Sequence, residues 1–406
     1  MTIARTSPAS IPVAGRIQRF SYAIRNIVAE ARRVEAQGTR VRYLNIGDPV
    51  AFGFKTPPHL VAAVERALRD GHNGYGPSAG IADAREAVAD ELTARGFPVA
   101  ADRVFITSGT SEAIELALSA LVDDEGEVLV PMPTYPLYTA VLSKLGARAR
   151  YYRCDPARGW APDLDEVRSL VTPATRALVV IDPNNPTGAS YSTAVRRALV
   201  DIAEEHGIVL LADEVYGDLA YDGPVPSIGS LDPDAAVISF SSLSKAYLAP
   251  GWRTGWMGIG RSRRLDDVVA AVAKLADGRL CSNVPIQFAI AEALRGDRSH
   301  QISFRAALRQ RAAITAERLG AIPGVSCVAP AGGFYAMPQV TLPPGQTDED
   351  YVLALLRATG VLCVYGSGFG MRPEDGYLRV VFLASPEDLN DIYSLVADFT
   401  RTYLGT

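Results

Sequence analysis

The chain predicts an α/β fold built in two parts, and three observations carry that reading. Between about residues 100 and 240, short apolar runs alternate with helical periodicity, the pattern of a largely parallel sheet with helices on both faces. Several of those runs end directly in loops of small polar residues, where such sheets bind ligands. After about residue 300 the texture changes to a long helical stretch followed by short strands, as in a separate α+β unit. A chain of 406 residues has room for two domains.

In chain order, residues 1–15 are small and proline-containing and read as a loose arm. Ile24, Ile27, Val28, Ala31 and Val34 recur at helical spacing, so a helix is expected from Tyr22 to Gln37, closed by Gly38. A strand at Val41–Ile46 and the turn Gly47-Asp48-Pro49 follow. Strands are expected at Val104–Thr107, Glu127–Val130, Ala177–Ile181, Val209–Ala212 and Val237–Ser239. Helical patterns at Ser111–Leu121, Tyr138–Leu145 and Ser192–His206 lie between them. The last part reads as a helix over about 301–320, Val325–Ala329, Gly332-Gly333-Phe334-Tyr335, a helix near 348–358, and strands at Val361–Val364 and Leu378–Phe382. If the N-terminal helix packs with this part, the small domain is discontinuous. The expected division is 56–300 for the large domain, 16–55 with 301–406 for the small one, and 1–15 for the arm.

Charge and composition exclude several function classes. Lys and Arg total 40 against 45 Asp and Glu, a net charge of −5, which argues against a nucleic-acid or anionic-membrane partner held by bulk charge. No apolar run approaches the ~18 residues of a membrane span, and the first residues lack the apolar core of a secretory signal, so a cytoplasmic enzyme is expected. Cys154, Cys281, Cys327 and Cys363 form no C-x-x-C pair, and the four histidines are isolated. No metal site and no catalytic triad is therefore expected. The chemistry should borrow its reactive group from a cofactor.

Lys245 is the centre of the chemical argument, following a strand in Ser241-Ser242-Leu243-Ser244-Lys245. Exposed loop lysines are common, so three further signatures matter. Asp213 closes an apolar strand in Ala212-Asp213-Glu214-Val215-Tyr216; it is either a helix N-cap or the partner of a buried cation such as a protonated pyridine nitrogen. Asn184-Asn185-Pro186-Thr187-Gly188 also follows a strand and is either a plain turn or part of a site. Thr107-Ser108-Gly109-Thr110-Ser111 opens a helix, where N–H groups and the helix dipole suit a phosphate, and Arg253 would add a cation. Together these residues suit a phosphorylated pyridine aldehyde held by a lysine.

On N-P-T-G at 185–188, A-D-E-V-Y at 212–216 and S-x-S-K at 242–245 with an arginine eight residues later, the chain resembles the pyridoxal-phosphate aminotransferases of fold type I, class I. The resemblance runs from about residue 20 to 395 and is nearest to the alanine (glutamate–pyruvate) aminotransferases. It implies a large domain around a mostly parallel seven-stranded sheet, a smaller α+β domain, and pyridoxal 5′-phosphate as cofactor.

The resemblance also implies roles for particular residues. Lys245 carries the cofactor as a Schiff base and moves the substrate proton, Asp213 pairs with the ring nitrogen, and Tyr216 and Asn185 reach the ring oxygen. Tyr135 stacks on the ring. Gly109, Thr110, Ser111, Ser242 and Arg253 hold the phosphate, which Tyr75 reaches from the other subunit of a homodimer. Arg379 clamps the substrate α-carboxylate, assisted by Gly47 and Asn185. Arg25 and Arg279 are the candidates for a distal carboxylate. The implied reaction moves an amino group between L-alanine or L-glutamate and pyruvate or 2-oxoglutarate by a ping-pong mechanism. An aminotransferase for aspartate, valine or an aromatic amino acid, and a β-lyase on the same scaffold, are the alternatives.

Overall fold

The structure, a computed structural model, describes residues 11, 13–15 and 27–405. Tyr22–Arg25, and with them the start of the expected first helix, lie outside the described residues. The helix Val28–Ala36 buries Ala31 and Val34. Glu30 accepts from Arg357 Nε and Nη2 at 2.9 and 2.7 Å, tying this helix to the helix Asp348–Thr359 late in the chain.

Strand β1 is only Arg42–Tyr43, shorter than the expected Val41–Ile46, and pairs in parallel with Val361–Leu362. Extended backbone continues to Leu44, whose N–H donates to Leu362 O at 2.7 Å and whose carbonyl accepts from Val381 N at 2.8 Å. The chain then turns away into the cavity described below, which ends the strand.

The large sheet is formed by β2 (Val104–Thr107), β3 (Glu127–Met132), β4 (Arg148–Asp155), β5 (Ala161–Pro162), β6 (Thr175–Ile181), β7 (Val209–Asp213), β8 (Val237–Ser242) and β9 (Gly255–Ile259). Their spatial order is β2-β9-β8-β7-β6-β3-β4-β5. The run β4-β3-β6-β7-β8 is parallel, and β9 lies antiparallel between β8 and β2. The seven strands implied by the resemblance become eight, because β5 returns for two residues against β4 at the edge. Side chains alternate between two cores: Val128 and Val130 join one, Leu129 the other. The first core meets the helices Thr110–Leu121, Pro136–Leu145 and Asp266–Gly278, and the second meets Ala82–Ala94 and Thr193–Glu205, so helices cover both faces.

The remaining strands, β10 (Val325–Ser326), β11 (Tyr335–Ala336), β12 (Gln339–Val340), β13 (Val361–Leu362), β14 (Val364–Tyr365) and β15 (Leu378–Val381), form small sheets in the orders β1-β13, β10-β12 and β11-β15-β14. The expected single strand Val361–Val364 is split at Cys363 because its halves have different partners. β13 pairs in parallel with β1, and β14 pairs antiparallel with β15. Among the described residues, no helix is long and apolar enough to cross a membrane, and no cluster of His, Cys, Asp or Glu could hold a metal ion.

Candidate active site

Parallel neighbours end side by side, so the polar residues that close β6, β7 and β8 converge on one edge of the sheet. Ile181 stands opposite Asp213, and Asp213 opposite Phe240. Beyond that edge is a cavity of 490 Å³ lined by Gly47, Thr110, Ser111, Tyr135, Asn185, Asp213, Tyr216, Ser242, Lys245, Arg253 and Arg379, among others. Eleven residues singled out from the sequence thus share one space.

Lys245 Nζ donates to the Gly47 carbonyl at 2.8 Å and lies 5.5 Å from the centre of the Phe334 ring. Burial pulls its amine down to about 8; Asp48 opposes this, while Arg379 and Arg253 add to it. Asp213 is the last residue of β7, and burial pushes its carboxyl up to about 6. Tyr138 donates to Asp213 Oδ2 at 3.1 Å and so favours the charged form. The Tyr216 and Tyr335 hydroxyls share a hydrogen bond at 3.0 Å, and burial holds the Tyr216 phenol well above its ordinary range, so it stays a donor.

The loop after β6 shows why its residue types are needed. Asn184 Oδ1 accepts from the Thr187 N–H and hydroxyl at 3.2 and 2.9 Å, closing the turn and leaving Asn185 to line the cavity. Gly188 has φ 72, and a Cβ there would stand 2.3 Å from the Tyr335 carbonyl. On the other side, Arg379 of β15 is 2% exposed. It donates to Asn45 O at 2.6 Å and to Asn185 Oδ1 at 3.3 Å. Its guanidinium lies 4.9 Å from the Tyr335 ring and 4.7 Å from the Phe369 ring, so two aromatic faces and two acceptors fix its plane.

Among the described residues, no side chain caps the Gly109–Ser111 end of the helix Thr110–Leu121. A Cβ on Gly109 would meet Arg253 Nη2 at 2.4 Å, and one on Gly255 would meet the Thr110 backbone nitrogen at 2.6 Å. Glycines therefore let a helix N-terminus, Arg253 and the hydroxyls of Thr110, Ser111 and Ser242 crowd together. That donor set fits a phosphate. With a buried carboxylate at one wall and a lysine amine at another, the residues fit a phosphorylated pyridine aldehyde. Asn45, wholly buried in the same lining, has no bonded side-chain atom among the described residues, which leaves polar capacity for a ligand.

Four of the proposed residues are not in this lining, Gly109 among them, which directly precedes the lining residue Thr110. Tyr75 is 88% exposed, beside Cys281, Ser282 and Asn283. Arg279 forms an ion pair with Glu112 at 3.2 Å and donates to Ile106 O at 2.8 Å. Arg25 lies outside the described residues. Conversely, Tyr138, Tyr335, Asn45 and Phe369 were not singled out from the sequence for roles in the site. All four act through tertiary contacts, and Tyr138, within the apolar helix Pro136–Leu145, reads from the sequence as core.

Comparison with known proteins agrees with this geometry. Residues 40–393 match the family described as aminotransferase class I and II. The chain is 40% identical over 397 residues to an alanine aminotransferase of Mycobacterium tuberculosis, covering 96% of this chain and 92% of that protein. It is 38% identical over 401 residues to the glutamate-pyruvate aminotransferase AlaA of Escherichia coli, covering 97% and 98%. The solved alanine aminotransferase of Pyrococcus furiosus superposes with a TM-score of 0.93 at 37% identity, covering 96% of this chain and all of that one (100%).

Proposed function

The chain belongs to the class I and II aminotransferases, whose cofactor is pyridoxal 5′-phosphate, and from that premise we propose that it moves an amino group between L-alanine or L-glutamate and pyruvate or 2-oxoglutarate. The observation that carries the chemistry is one cavity holding Lys245, Asp213 and Arg379 together. The near full-length identity to alanine and glutamate-pyruvate aminotransferases supports the substrate pair.

The cofactor, when bound, supplies an aldehyde that captures an amine and a ring that takes up the electron pair left when the substrate Cα proton departs. Arg253, Ser242, Thr110, Ser111 and the Gly109 backbone would hold its phosphate. Asp213 would keep a proton on the ring nitrogen, Tyr216 and Asn185 would donate to the ring oxygen, and Tyr135 would pack on the ring; all of them but Gly109 line the cavity. Lys245 Nζ would carry the proton between the substrate Cα and the carbon supplied by the cofactor's aldehyde, a task suited to an amine that burial has brought down to about 8. Arg379 receives the α-carboxylate in a preset plane, which orients Cα toward Lys245. Gly47 contributes the carbonyl that orients the lysine.

The ping-pong order follows from one carboxylate site serving both substrates in turn. For glutamate's distal carboxylate the proposed cations are Arg25 and Arg279, and Arg279 would have to exchange Glu112 for the substrate. The exposed Tyr75 is proposed to reach the phosphate of a second copy in a cytoplasmic homodimer, with 56–300 as the large domain.

Single-turnover reaction of the cofactor-loaded enzyme with a panel of amino acids, followed by the cofactor's visible absorbance, tests the reading. L-Alanine and L-glutamate should react at least about tenfold faster than aspartate, valine or tyrosine. Another amino acid outrunning both by that margin would overturn the substrate assignment. Release of ammonia and pyruvate from a β-substituted alanine as the main reaction would point to a lyase.

A further inference from the structure

Asp348 is wholly buried at the start of the helix Asp348–Thr359, yet it does not cap that helix. Thr347 and Asp350 do so, each bonding the other's backbone N–H in a capping box. The Asp348 carboxylate instead reaches across the fold. Oδ2 accepts from Ser367 N at 2.5 Å and Oδ1 from the Ser367 hydroxyl at 3.0 Å; Oδ1 also accepts from the adjacent Glu349 N at 2.8 Å.

Ser367 belongs to the tight turn Gly366–Phe369. Two residues on, the Phe369 ring lies against the Arg379 guanidinium, and the Phe369 carbonyl accepts from Thr134 N at 2.9 Å, next to Tyr135 in the cavity lining. One short turn therefore joins the strand that carries Arg379 to the loop that carries Tyr135.

We propose that Asp348 is a positioning residue for substrate binding: through Ser367 it fixes the turn that presses Phe369 against Arg379, and so sets the plane in which Arg379 meets the substrate carboxylate. This rests on Arg379 being the carboxylate clamp. Burying a carboxylate carries a cost, visible in its being pushed up to about 6, and the hydrogen bonds from Ser367 and from the Glu349 N–H act against that push. Without the carboxylate, the Ser367 N–H and hydroxyl lose their acceptors and the turn loses its hold on Phe369. Asp213, Ser242 and Lys245, on or just beyond the sheet edge, are untouched.

The test uses cofactor-loaded Asp348→Ala, Asp348→Asn, Ser367→Ala and, as a control, Arg379→Lys. The readouts are KM and kcat for L-alanine, the Kd of 2-methylalanine (an amino acid with no Cα proton) from the cofactor spectrum, and Tm. Asp348→Ala should raise both KM and Kd about tenfold with kcat within about twofold. Asp348→Asn, which keeps an acceptor for Ser367, should restore most of the affinity, and Ser367→Ala should fall between. A lowered Tm with unchanged KM and Kd overturns the proposal. Should the alanine variant not fold, unchanged affinity in both Asp348→Asn and Ser367→Ala overturns it equally. If Arg379→Lys raises KM and Kd while the Asp348 variants do not, the positioning role alone fails. If Arg379→Lys changes neither, the clamp assignment fails with it.

Discussion

Burial opposes the charge of both Asp213 and Lys245, and this has a consequence for stability. With its folded value raised to about 6, Asp213 favours folding below the ordinary carboxylate range and loses that contribution as pH rises through 6. In the cofactor-free chain at pH 7 the ionised carboxylate costs about 3 kcal/mol. Asp213→Asn should therefore stabilise the cofactor-free chain in urea at pH 7 by about that amount and add almost nothing near pH 4, while weakening cofactor binding. A pH-independent difference would contradict the burial argument. Lys245 has the opposite sign: its value is depressed to about 8, so folding of the cofactor-free chain gains as pH rises from 8 towards 10.5. Lys245→Ala should lower the transamination rate about ten-thousand-fold, measured in single turnover. Asp213 stood out in the sequence because a charged side chain ending an apolar strand is conspicuous, whereas Lys245 stood out only through the three signatures that accompany it. Tyr138, which steadies Asp213, did not, since a tyrosine in an apolar helix reads as core.

At the level of elements, the loops after the parallel strands were legible because their small residues are forced by close approach. Gly188→Ala would place a methyl group against the Tyr335 carbonyl and strain a left-handed backbone, so it should cost about 2 kcal/mol or more and raise KM; thermal unfolding and steady-state kinetics check this. Tyr138→Phe removes the 3.1 Å hydrogen bond to Asp213 and should weaken cofactor affinity about tenfold by equilibrium dialysis, with little change in Tm. Among the strands that were not legible are β4 and β9. β4 reads Arg148-Ala149-Arg150-Tyr151-Tyr152-Arg153, and its arginines at 148, 150 and 153 pair with Glu125, Glu127 and Asp163 near the sheet edge instead of facing a core. β9 contains two glycines, and a Cβ on either would collide, with the Thr110 backbone nitrogen at Gly255 or with Leu92 at Gly258. Neither strand carries the apolar run that marks a buried parallel strand.

Across the whole molecule, the proposed dimer makes a prediction that no single chain can meet. Lys245→Ala chains lack the amine but retain Tyr75, and Tyr75→Phe chains have the reverse. If Tyr75 serves the neighbouring site, random exchange of the two should rebuild native sites in about one quarter of positions, detectable as recovered cofactor affinity and activity. No recovery would place Tyr75 outside the site. The sequence by itself determined the α/β alternation and picked out Asp213, Asn185 and Lys245, which line the cavity, because local periodicity and polar residues at or just after strand ends are written along the chain. Only the tertiary structure decided that Arg379 lies between Phe369 and Tyr335, that Asp348 holds the turn carrying Phe369, and that Arg279 is engaged by Glu112. Those contacts join residues far apart in the chain through packing and hydrogen-bond geometry, and no local pattern encodes which distant side chain will fill the space.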